Sequence, residues 1–282
     1  MLRYLELRPR GELAGILECV WSVSGRAVAG VRPPERIVPD GCPELILHRA
    51  DPFARKVGTR WVVQPRIFLA GTLTRPWLLR AGRRVDTLGL RFRPGTVASV
   101  FGVSMHTMAD AEVPLSRLVS SRAAAALRGA VARARTRPRA MAAAEAWLVP
   151  HAAGTPPRPR VAQPAVEEVL RTRGLRRIDD VARTLGWTRR RLERAFAHDL
   201  GIRPKMFARI VRLNAVLAEL DHEQRGDVVD LALSAGYFDQ SHLLRDFRAL
   251  AGRRPRESRH ADGEMARHFT DPRRLRVLLS GE

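Results

Sequence analysis

Two clusters of mostly polar side chains follow Gly-aromatic pairs that stand 50 residues apart in this chain of 282 residues. The pairs are Gly186-Trp187 and Gly236-Tyr237. The first cluster comprises Arg189, Arg190, Glu193 and Arg194, and the second comprises Asp239, Gln240, Ser241, Leu244 and Arg245. An arginine fork fits O6 and N7 of guanine, and a glutamine amide fits N6 and N7 of adenine. Both clusters are therefore suited to contacts with base edges in DNA.

The sequence around the two clusters is repeated. Val181-Ala182-x-x-Leu185-Gly186-Trp187 matches Leu231-Ala232-x-x-Ala235-Gly236-Tyr237. Further on, Leu192-x-Arg194-x-Phe196 and Gly201-x-Arg203-Pro204 match Leu243-Leu244-Arg245-x-Phe247 and Gly252-x-Arg254-Pro255, with an offset of 51 residues. Two copies are too few for a solenoid, which needs about three repeats to bury a continuous core. The repeat instead predicts a duplicated helix-turn-helix, and hence a DNA-binding protein.

Each copy contains the signals for two helices and a tight turn. In the first copy, Asp179 or Asp180 is predicted to cap the first helix, Gly186 to end it, and Thr188 to cap the second. Leu192 and Phe196 are four residues apart and share the buried face of the second helix, so the polar cluster points outward. This arrangement predicts a recognition helix that lies in the major groove.

The second copy follows the same pattern, with Asp230 in the position of Asp180 and Gly236 at the turn. A helix from Pro204 to about Leu220 is predicted between the copies, because its apolar residues recur every three or four positions. Such a helix spans about 25 Å. It could hold two recognition helices near one ~34 Å repeat of DNA, so that both enter the same face of the duplex.

Composition agrees with a polyanion partner but does not establish one. The formal net charge is +21, yet residues 1–160 hold 26 basic and 11 acidic residues, whereas 161–260, which contain the repeat, hold 20 and 14. Only two cysteines occur, Cys19 and Cys42, too few for a disulfide framework or a four-thiolate zinc site. The N-terminus lacks a secretory signal, and the sequence has no apolar run that would span a membrane. We expect a cytoplasmic, nucleoid-associated protein without a membrane partner.

The predicted fold class is α+β. Short apolar runs bounded by Gly and Pro predict a β-rich, barrel-like sensor domain over residues 1–115. An Ala-, Arg- and Leu-rich helical connector (116–150) and a Pro-rich linker (151–163) follow. The predicted DNA-binding domain, all-α with two helix-turn-helix motifs joined by the long helix, occupies 164–260, and 261–282 form a tail.

The repeat resembles the DNA-binding domain of the AraC/XylS family of bacterial transcription regulators over residues 163–259. The resemblance rests on Arg212-Leu213, on the string from Ala232 through Gly236-Tyr237-x-Asp239-Gln240-Ser241-His242-Leu243-x-Arg245-x-Phe247-Arg248, and on Gly252-x-x-Pro255. It implies base contacts from Arg190, Glu193 and Arg194 in the first recognition helix, and from Gln240, Ser241, Leu244 and Arg245 in the second. Two positions depart from the family pattern. Leu243 replaces a frequent aromatic residue, and Leu244 offers only apolar contact.

The N-terminal half resembles the β-rich domain of a subset of AraC-type regulators, through the segments Val38–His48 and Gly89–Gly95. The resemblance implies either a ligand pocket or an aromatic core made by Trp21, Trp61, Phe68, Trp77 and Phe92. A second hypothesis places a metal or ligand on Asp40, Cys42, Glu44 and His48. Metal-dependent barrels use His-x-His with a carboxylate, and His-x-His is missing from this sequence.

We therefore predict a one-component, sequence-specific transcription regulator, in which two recognition helices enter successive major grooves. The expected partner is promoter or operator DNA, and RNA polymerase, a small-molecule effector and a second copy of the chain are further candidates. No catalytic residue, metal or cofactor is predicted. The alternatives are a nonspecific architectural DNA binder and a DNA-associated enzyme. For the enzyme, neither a zinc-binding cysteine cluster nor a Gly-x-Ser-x-Gly nucleophile motif is found.

Overall fold

The structure is a computed structural model, and it describes residues 2–26, 34–153, 159–222, 236–237 and 239–258. Parts of three sequence predictions lie outside these residues. They are the first helix of the second repeat with Asp230, the centre of the Pro-rich linker at 154–158, and the tail at 261–282. Within the described residues the chain is β-rich up to Pro114 and helical after it, which confirms the α+β class.

Ten strands lie in the described part of the N-terminal half. They are β1 (Leu2–Leu7), β2 (Leu17–Arg26), β3 (Glu35–Ile37), β4 (Glu44–His48), β5 (Ala54–Val57), β6 (Arg60–Val63), β7 (Ile67–Ala70), β8 (Trp77–Arg80), β9 (Arg84–Phe92) and β10 (Glu112–Pro114). They pair antiparallel in a six-stranded sheet of order β1-β2-β9-β4-β7-β10 and a four-stranded sheet of order β3-β8-β5-β6. The β-rich domain is thus two sheets that do not close into one barrel.

The two faces of the six-stranded sheet bury different sets of side chains, because successive residues of a strand point to opposite sides. Leu88, Leu90 and Phe92 of β9 join the core beneath the helices that follow, whereas Trp21 of β2 belongs to the core on the opposite face. Gly89 pairs with Trp21, and a Cβ at Gly89 would stand 2.1 Å from the indole. Glycine is therefore required where Trp21 crosses β9.

Three helices cover one face of the six-stranded sheet: α1 (Val97–Phe101), α2 (Ser121–Arg133) and α3 (Arg137–Ala152). Ser120 and Thr136 cap α2 and α3 with their hydroxyl oxygens, as short polar side chains do at helix starts. Leu127, Met141 and Leu148 are fully buried in the same core as the sheet. The helical connector therefore packs onto the strands, and the strand region continues past Pro94-Gly95 with β10.

Six helices follow in the described C-terminal part: α4 (Gln163–Arg171), α5 (Ile178–Thr184), α6 (Arg189–Asp199), α7 (Pro204–His222), α8 (Gln240–Asp246) and α9 (Pro255–Ser258). A π-helical turn (Phe247–Ala251) continues α8. One prediction about caps was wrong. Helix α5 begins after Arg177 without a side-chain cap, so Asp179 and Asp180 lie in its first turn, where carboxylates still favour the positive end of the helix dipole.

The N-terminal half supplies hydrogen-bond partners to the end of α6 and to a side chain in the middle of α7. The Met105 N–H donates to the His198 carbonyl over 2.8 Å, and the Thr72 hydroxyl donates to the Leu200 carbonyl over 2.8 Å. The last carbonyls of a helix have no partner within it, and these two bonds satisfy them at the end of α6. The Asn214 side chain on α7 donates to the Pro39 carbonyl over 2.8 Å. Strands and helices thus share one buried boundary.

Substitution of two left-handed glycines tests the contact between the N-terminal half and the C-terminal helices. Gly186 (φ +63°) follows α5 in open space, whereas Gly201 (φ +75°) follows α6, and a Cβ there would stand 2.3 Å from the Met105 carbonyl oxygen. We expect Gly186→Ala to lower the free energy of unfolding by about 1–2 kcal/mol, the cost of a left-handed residue with a side chain. Gly201→Ala should cost clearly more in chemical denaturation, because backbone must also move. Equal costs would contradict a tight contact between the halves at Met105.

Candidate nucleic-acid interface

Helix α6 presents the first polar cluster to solvent. The Thr188 hydroxyl oxygen caps it by accepting the Arg191 N–H over 3.2 Å, as predicted. Gly186 takes the predicted left-handed turn, and the Trp187 N–H donates back to the Ala182 carbonyl over 2.9 Å. The buried face holds Leu192, Ala195 and Phe196, and the exposed face holds Arg189, Arg190, Arg191, Glu193 and Arg194. All four predicted residues of this cluster therefore lie on the solvent face of one helix.

The arginines on α6 differ in how they are held. Arg189 donates to Glu193 over 3.1 Å and lies 3.4 Å from Asp179, so both carboxylates are engaged by it. Arg191, which the sequence analysis did not select, stacks on the Trp187 ring with its guanidinium 4.6 Å from the ring centroid. Within the described residues, Arg190 and Arg194 form no ion pair. Their guanidinium groups are the ones left available for a ligand.

Helix α8 presents the second cluster. The Asp239 carboxylate accepts the His242 N–H over 2.6 Å and caps the helix. Gln240, Ser241 and Arg245 are exposed and Leu244 is half-buried, while Leu243 is fully buried. The structure thus brings the five predicted residues together on one short helix. It also gives Asp239 a capping role that its residue type could have indicated.

Helix α7 connects the two motifs through charged side chains as well as apolar ones. Arg209 donates to Asp246 at the end of α8 from both Nε and Nη2, over 3.0 and 2.7 Å. Arg212 donates to the Gly174 carbonyl after α4 over 2.8 Å, and its guanidinium lies 5.3 Å from the Tyr237 ring centroid. Burial, and then the nearby Asp246 carboxylate, raise the pKa of the Tyr237 phenol well above its usual value. The first motif meets the same helix through Phe196, whose ring centroid lies 5.8 Å from that of Phe207, so α7 contacts both motifs.

The length of α7 fits the spacing of DNA grooves. Its 19 residues correspond to about 28 Å at 1.5 Å per residue, close to the ~34 Å helical repeat of the duplex. Ile210, Val211, Leu213 and Val216 are buried, which keeps the helix inside the domain, whereas the polar faces of α6 and α8 are outside it. Two outward polar faces on one rigid connector can contact bases at two places.

Three of the four residues of the metal hypothesis, Asp40, Glu44 and His48, have other side-chain partners. Arg91 forms ion pairs with Asp40 and Glu44. His48 shares hydrogen bonds with Thr87 through Nδ1 (3.0 Å) and with Gln64 through Nε2 (3.2 Å). Burial lowers the pKa of His48 to about 4, so its imidazole is neutral near pH 7. Within the described ranges, no group of three His, Cys, Asp or Glu side chains could hold a metal ion.

A small cavity of about 40 Å³ lies between the two sheets. Its walls include the aromatic residues Trp21, Phe53 and Trp77 and the charged residues Asp40, Glu44 and Arg91. The other three aromatics of the predicted pocket lie elsewhere. Phe92 faces the opposite core, Phe68 is fully buried in packing, and Trp61 is stacked against Arg80. Of the five aromatic residues, Trp21 and Trp77 line the cavity, and whether it holds a ligand stays a prediction.

Comparison with protein families gives two matches along the chain. Residues 181–261 match the family described as a helix-turn-helix domain, and residues 5–114 match a domain of unknown function (DUF6597). Comparison with curated proteins gives no match. Among the described residues, no helix is both long enough and apolar enough to cross a membrane.

Similar solved structures are transcription regulators. A regulator from Chromobacterium violaceum, described as containing an AraC-type DNA-binding domain, is 28% identical over 35% of this chain and 91% of its own, with a TM-score of 0.31. ToxT from Vibrio cholerae is 8% identical over 91% of this chain and 96% of its own, with a TM-score of 0.45. The AraC-like activator CuxR is 15% identical over 69% and 79%, with a TM-score of 0.28.

The buried Arg209–Asp246 pair is expected to hold the second motif onto α7. Asp246 is only 3% exposed, so Asp246→Asn removes a buried charge that holds the partly exposed Arg209 guanidinium. We expect a loss of about 2–4 kcal/mol in the free energy of unfolding, measured by urea denaturation. Asp180→Asn, which breaks the exposed pair with Arg183, is the control and should change stability by less than about 1 kcal/mol. Equal effects would show that the buried pair does not anchor α8.

Proposed function

We propose that this chain is a DNA-binding transcription regulator of the AraC type, because residues 181–261 match a helix-turn-helix family, and that α6 and α8 enter successive major grooves of one specific operator. Regulators of this type are not enzymes. The observation that supports the two-groove arrangement best is the pair of exposed polar helix faces on α6 and α8, each backed by a buried Leu and Phe. A single motif would contact only one groove.

We assign base contacts to exposed side chains of α6 and α8 according to whether other residues of the protein already hold them. On α6 we propose that Arg190 and Arg194 contact guanine, because neither forms an ion pair among the described residues. Arg189 and Glu193 hold one another and would contact DNA as a pair, whereas Arg191 on Trp187 is suited to a phosphate. On α8 we propose Gln240, Ser241 and Arg245 as the base-contacting residues, with apolar contact from Leu244. Asp239 supports them from the helix cap.

The wider organisation is also proposed. Residues 1–115 would form the sensor domain, with 116–150 as connector, 151–163 as linker, 164–260 as the DNA-binding domain and 261–282 as a tail. A small-molecule effector, a second copy of the chain and RNA polymerase are proposed partners, in a cytoplasmic, nucleoid-associated protein. The cavity between the sheets, which Trp21 and Trp77 line, is where a small-molecule effector would bind.

Substitution of single arginines tests the base contacts. We expect Arg194→Ala and Arg245→Ala each to weaken binding to the selected operator by about 1–3 kcal/mol and to relax specificity at one base pair. The operator would be obtained by selection from random DNA, and affinity measured by fluorescence anisotropy at fixed salt. Arg171→Ala is the matched control, because Arg171 is an exposed arginine on α4 that is held by Glu168.

The same measurement distinguishes a regulator from an architectural DNA binder. If the protein is a sequence-specific regulator, Arg194→Ala and Arg245→Ala lower its affinity for the operator much more than its affinity for random competitor DNA. A uniform loss for both DNAs, with only a change in salt dependence, would mean that these arginines contact phosphates. Failure to select any preferred sequence would contradict the proposed function.

A further inference from the structure

Four arginines alternate with other residues where α2 turns into α3. The segment 133–139 reads Arg-Ala-Arg-Thr-Arg-Pro-Arg, and the helical connector that contains it (116–150) holds seven arginines and one acidic residue, Glu145. Its net charge of +6 equals that of residues 161–260, which hold 20 basic and 14 acidic residues. The connector thus carries the charge of the whole DNA-binding domain on about a third of its length, almost without acidic residues.

Two arginines hold the turn between α2 and α3 against one end of the six-stranded sheet. Arg49, which follows β4, donates from Nη2 to the Ala134 carbonyl over 3.0 Å. Arg137 donates from Nη1 to the Arg3 carbonyl on β1 over 3.1 Å. The Thr136 hydroxyl oxygen caps α3 within the turn. The turn is therefore docked on the sheet by bonds to backbone carbonyls, which use no acidic side chain.

The other three arginines of the segment, Arg133, Arg135 and Arg139, are exposed. In the part of the chain that the structure describes, no carboxylate pairs with any of them. Because a guanidinium stays charged at any ordinary pH, three such groups within seven residues repel one another. An anion bound among them would relieve that repulsion.

The end of the sheet beside the turn adds arginines on the same face. Arg26 on β2 pairs in register with Arg84 on β9, and Arg3 on β1 lies in the next row of that face. Because side chains alternate along a strand, all three point to the face that α2 and α3 cover, where Leu88 joins the core. Like charges directly opposite each other destabilise a strand pair. The pairing of Arg26 with Arg84 is a second place where a bound anion would be stabilising.

Two acidic residues lie at the same end of the sheet, and both already have partners. Asp86 forms an ion pair with Arg49 over 3.5 Å, and Asp51 accepts the backbone N–H of Arg84 over 2.8 Å. Residues 27–33, which follow β2 in the sequence, include no Asp or Glu. The exposed arginines gathered here, which we call the basic surface, are Arg3, Arg26, Arg84, Arg133, Arg135 and Arg139.

The basic surface and the DNA-binding helices lie at opposite ends of the six-stranded sheet. The bonds of Pro39 and Thr72 to the C-terminal helices stand where β4 begins and β7 ends. The basic surface stands where β1 and β9 begin and β2 ends. The nine residues of β9 separate the two ends by about 27 Å. The surface is therefore placed to stay accessible while α6 and α8 contact an operator.

We propose that the basic surface binds the phosphate backbone of a second segment of duplex DNA, apart from the operator. Arginine suits phosphate because its planar fork donates two parallel hydrogen bonds. A duplex carries one negative charge per about 1.7 Å of its axis, so it engages several arginines of one surface at once. None of the large apolar side chains exposed in the described residues lies on this surface, so a lipid bilayer is less suited to it. The inference goes beyond the proposed function, since phosphate contacts carry no sequence information.

Two matched variants of the full chain test the surface with a duplex of random sequence. In both, the recognition helices are weakened by Arg190→Gln, Arg194→Gln and Arg245→Gln. The surface variant adds Arg133→Gln, Arg135→Gln and Arg139→Gln. The control variant adds Arg8→Gln, Arg60→Gln and Arg75→Gln, which are exposed arginines elsewhere in the N-terminal half. Because Arg49 and Arg137 are retained, both variants should melt at the same temperature.

We expect the surface variant to bind the random duplex at least about tenfold more weakly than the control variant at about 0.1 M salt. The slope of log affinity against log salt should also be smaller by about two to three, since each lost phosphate contact removes about 0.9. Equal affinities and slopes for the two variants would overturn the proposal. If the control variant bound vesicles of phosphatidylglycerol and phosphatidylcholine more tightly than duplex at equal phosphate concentration, the partner would be a membrane, and the proposal would be wrong.

Binding of two DNA segments at once is tested with unweakened recognition helices and the selected operator. Protein held on an immobilised duplex of operator length should retain a labelled random duplex. Arg133→Gln, Arg135→Gln and Arg139→Gln together should remove that retention and leave operator affinity unchanged. A loss of operator affinity instead would place the surface on the operator itself and contradict a second segment. If no operator can be selected but the random-duplex result holds, the proposed function fails and the basic surface stands.

Discussion

Helix α7 is buried over most of its surface, and most of the C-terminal structure depends on that burial. From Phe207 to Ala218 its apolar residues are buried, while Lys205, Arg209 and Arg212 form a partly exposed stripe. The surrounding partners are different on each side. Arg212 donates to the carbonyl of Gly174 after α4, and Arg209 donates to the Asp246 carboxylate at the end of α8. Asn214 donates to the Pro39 carbonyl between β3 and β4. Each polar bond satisfies a group that burial would otherwise leave without water.

The two recognition helices are fixed in chemically different ways. Helix α6 begins at a threonine cap and carries four arginines on its exposed face. Helix α8 begins at an aspartate cap and carries one glutamine, one serine and one arginine in its exposed part. The first is dominated by positive charge and the second by neutral hydrogen-bonding groups. With the proposed base contacts, affinity from phosphate and guanine would therefore be concentrated at α6, whereas α8 has the more varied donors and acceptors.

Local patterns made the helix-turn-helix predictable, and long-range pairing did not. The glycine at position 186, the Thr188 cap and the Leu192/Phe196 face act within a few residues, so the sequence alone indicated them. The alternation of β9 places Phe92 and Arg91 on opposite faces, and without the pairing of strands the sequence could not show which aromatics share a cavity. The start of α5 was missed because a carboxylate suits both the cap and the first turn.

The hydroxyl of Thr72 bonds to a carbonyl 128 residues later, at the end of the first recognition helix. The Met105 N–H makes a second such bond, to the His198 carbonyl. Atoms of the N-terminal half therefore satisfy two carbonyls at the end of α6. The halves are consequently poor candidates for exchange as independent modules. A chimaera that places this C-terminal half behind an unrelated sensor would need a donor at each of these two carbonyls. Gene fusions that recombine such halves in nature would therefore be retained only where the new partner supplies equivalent donors or where water reaches the helix end.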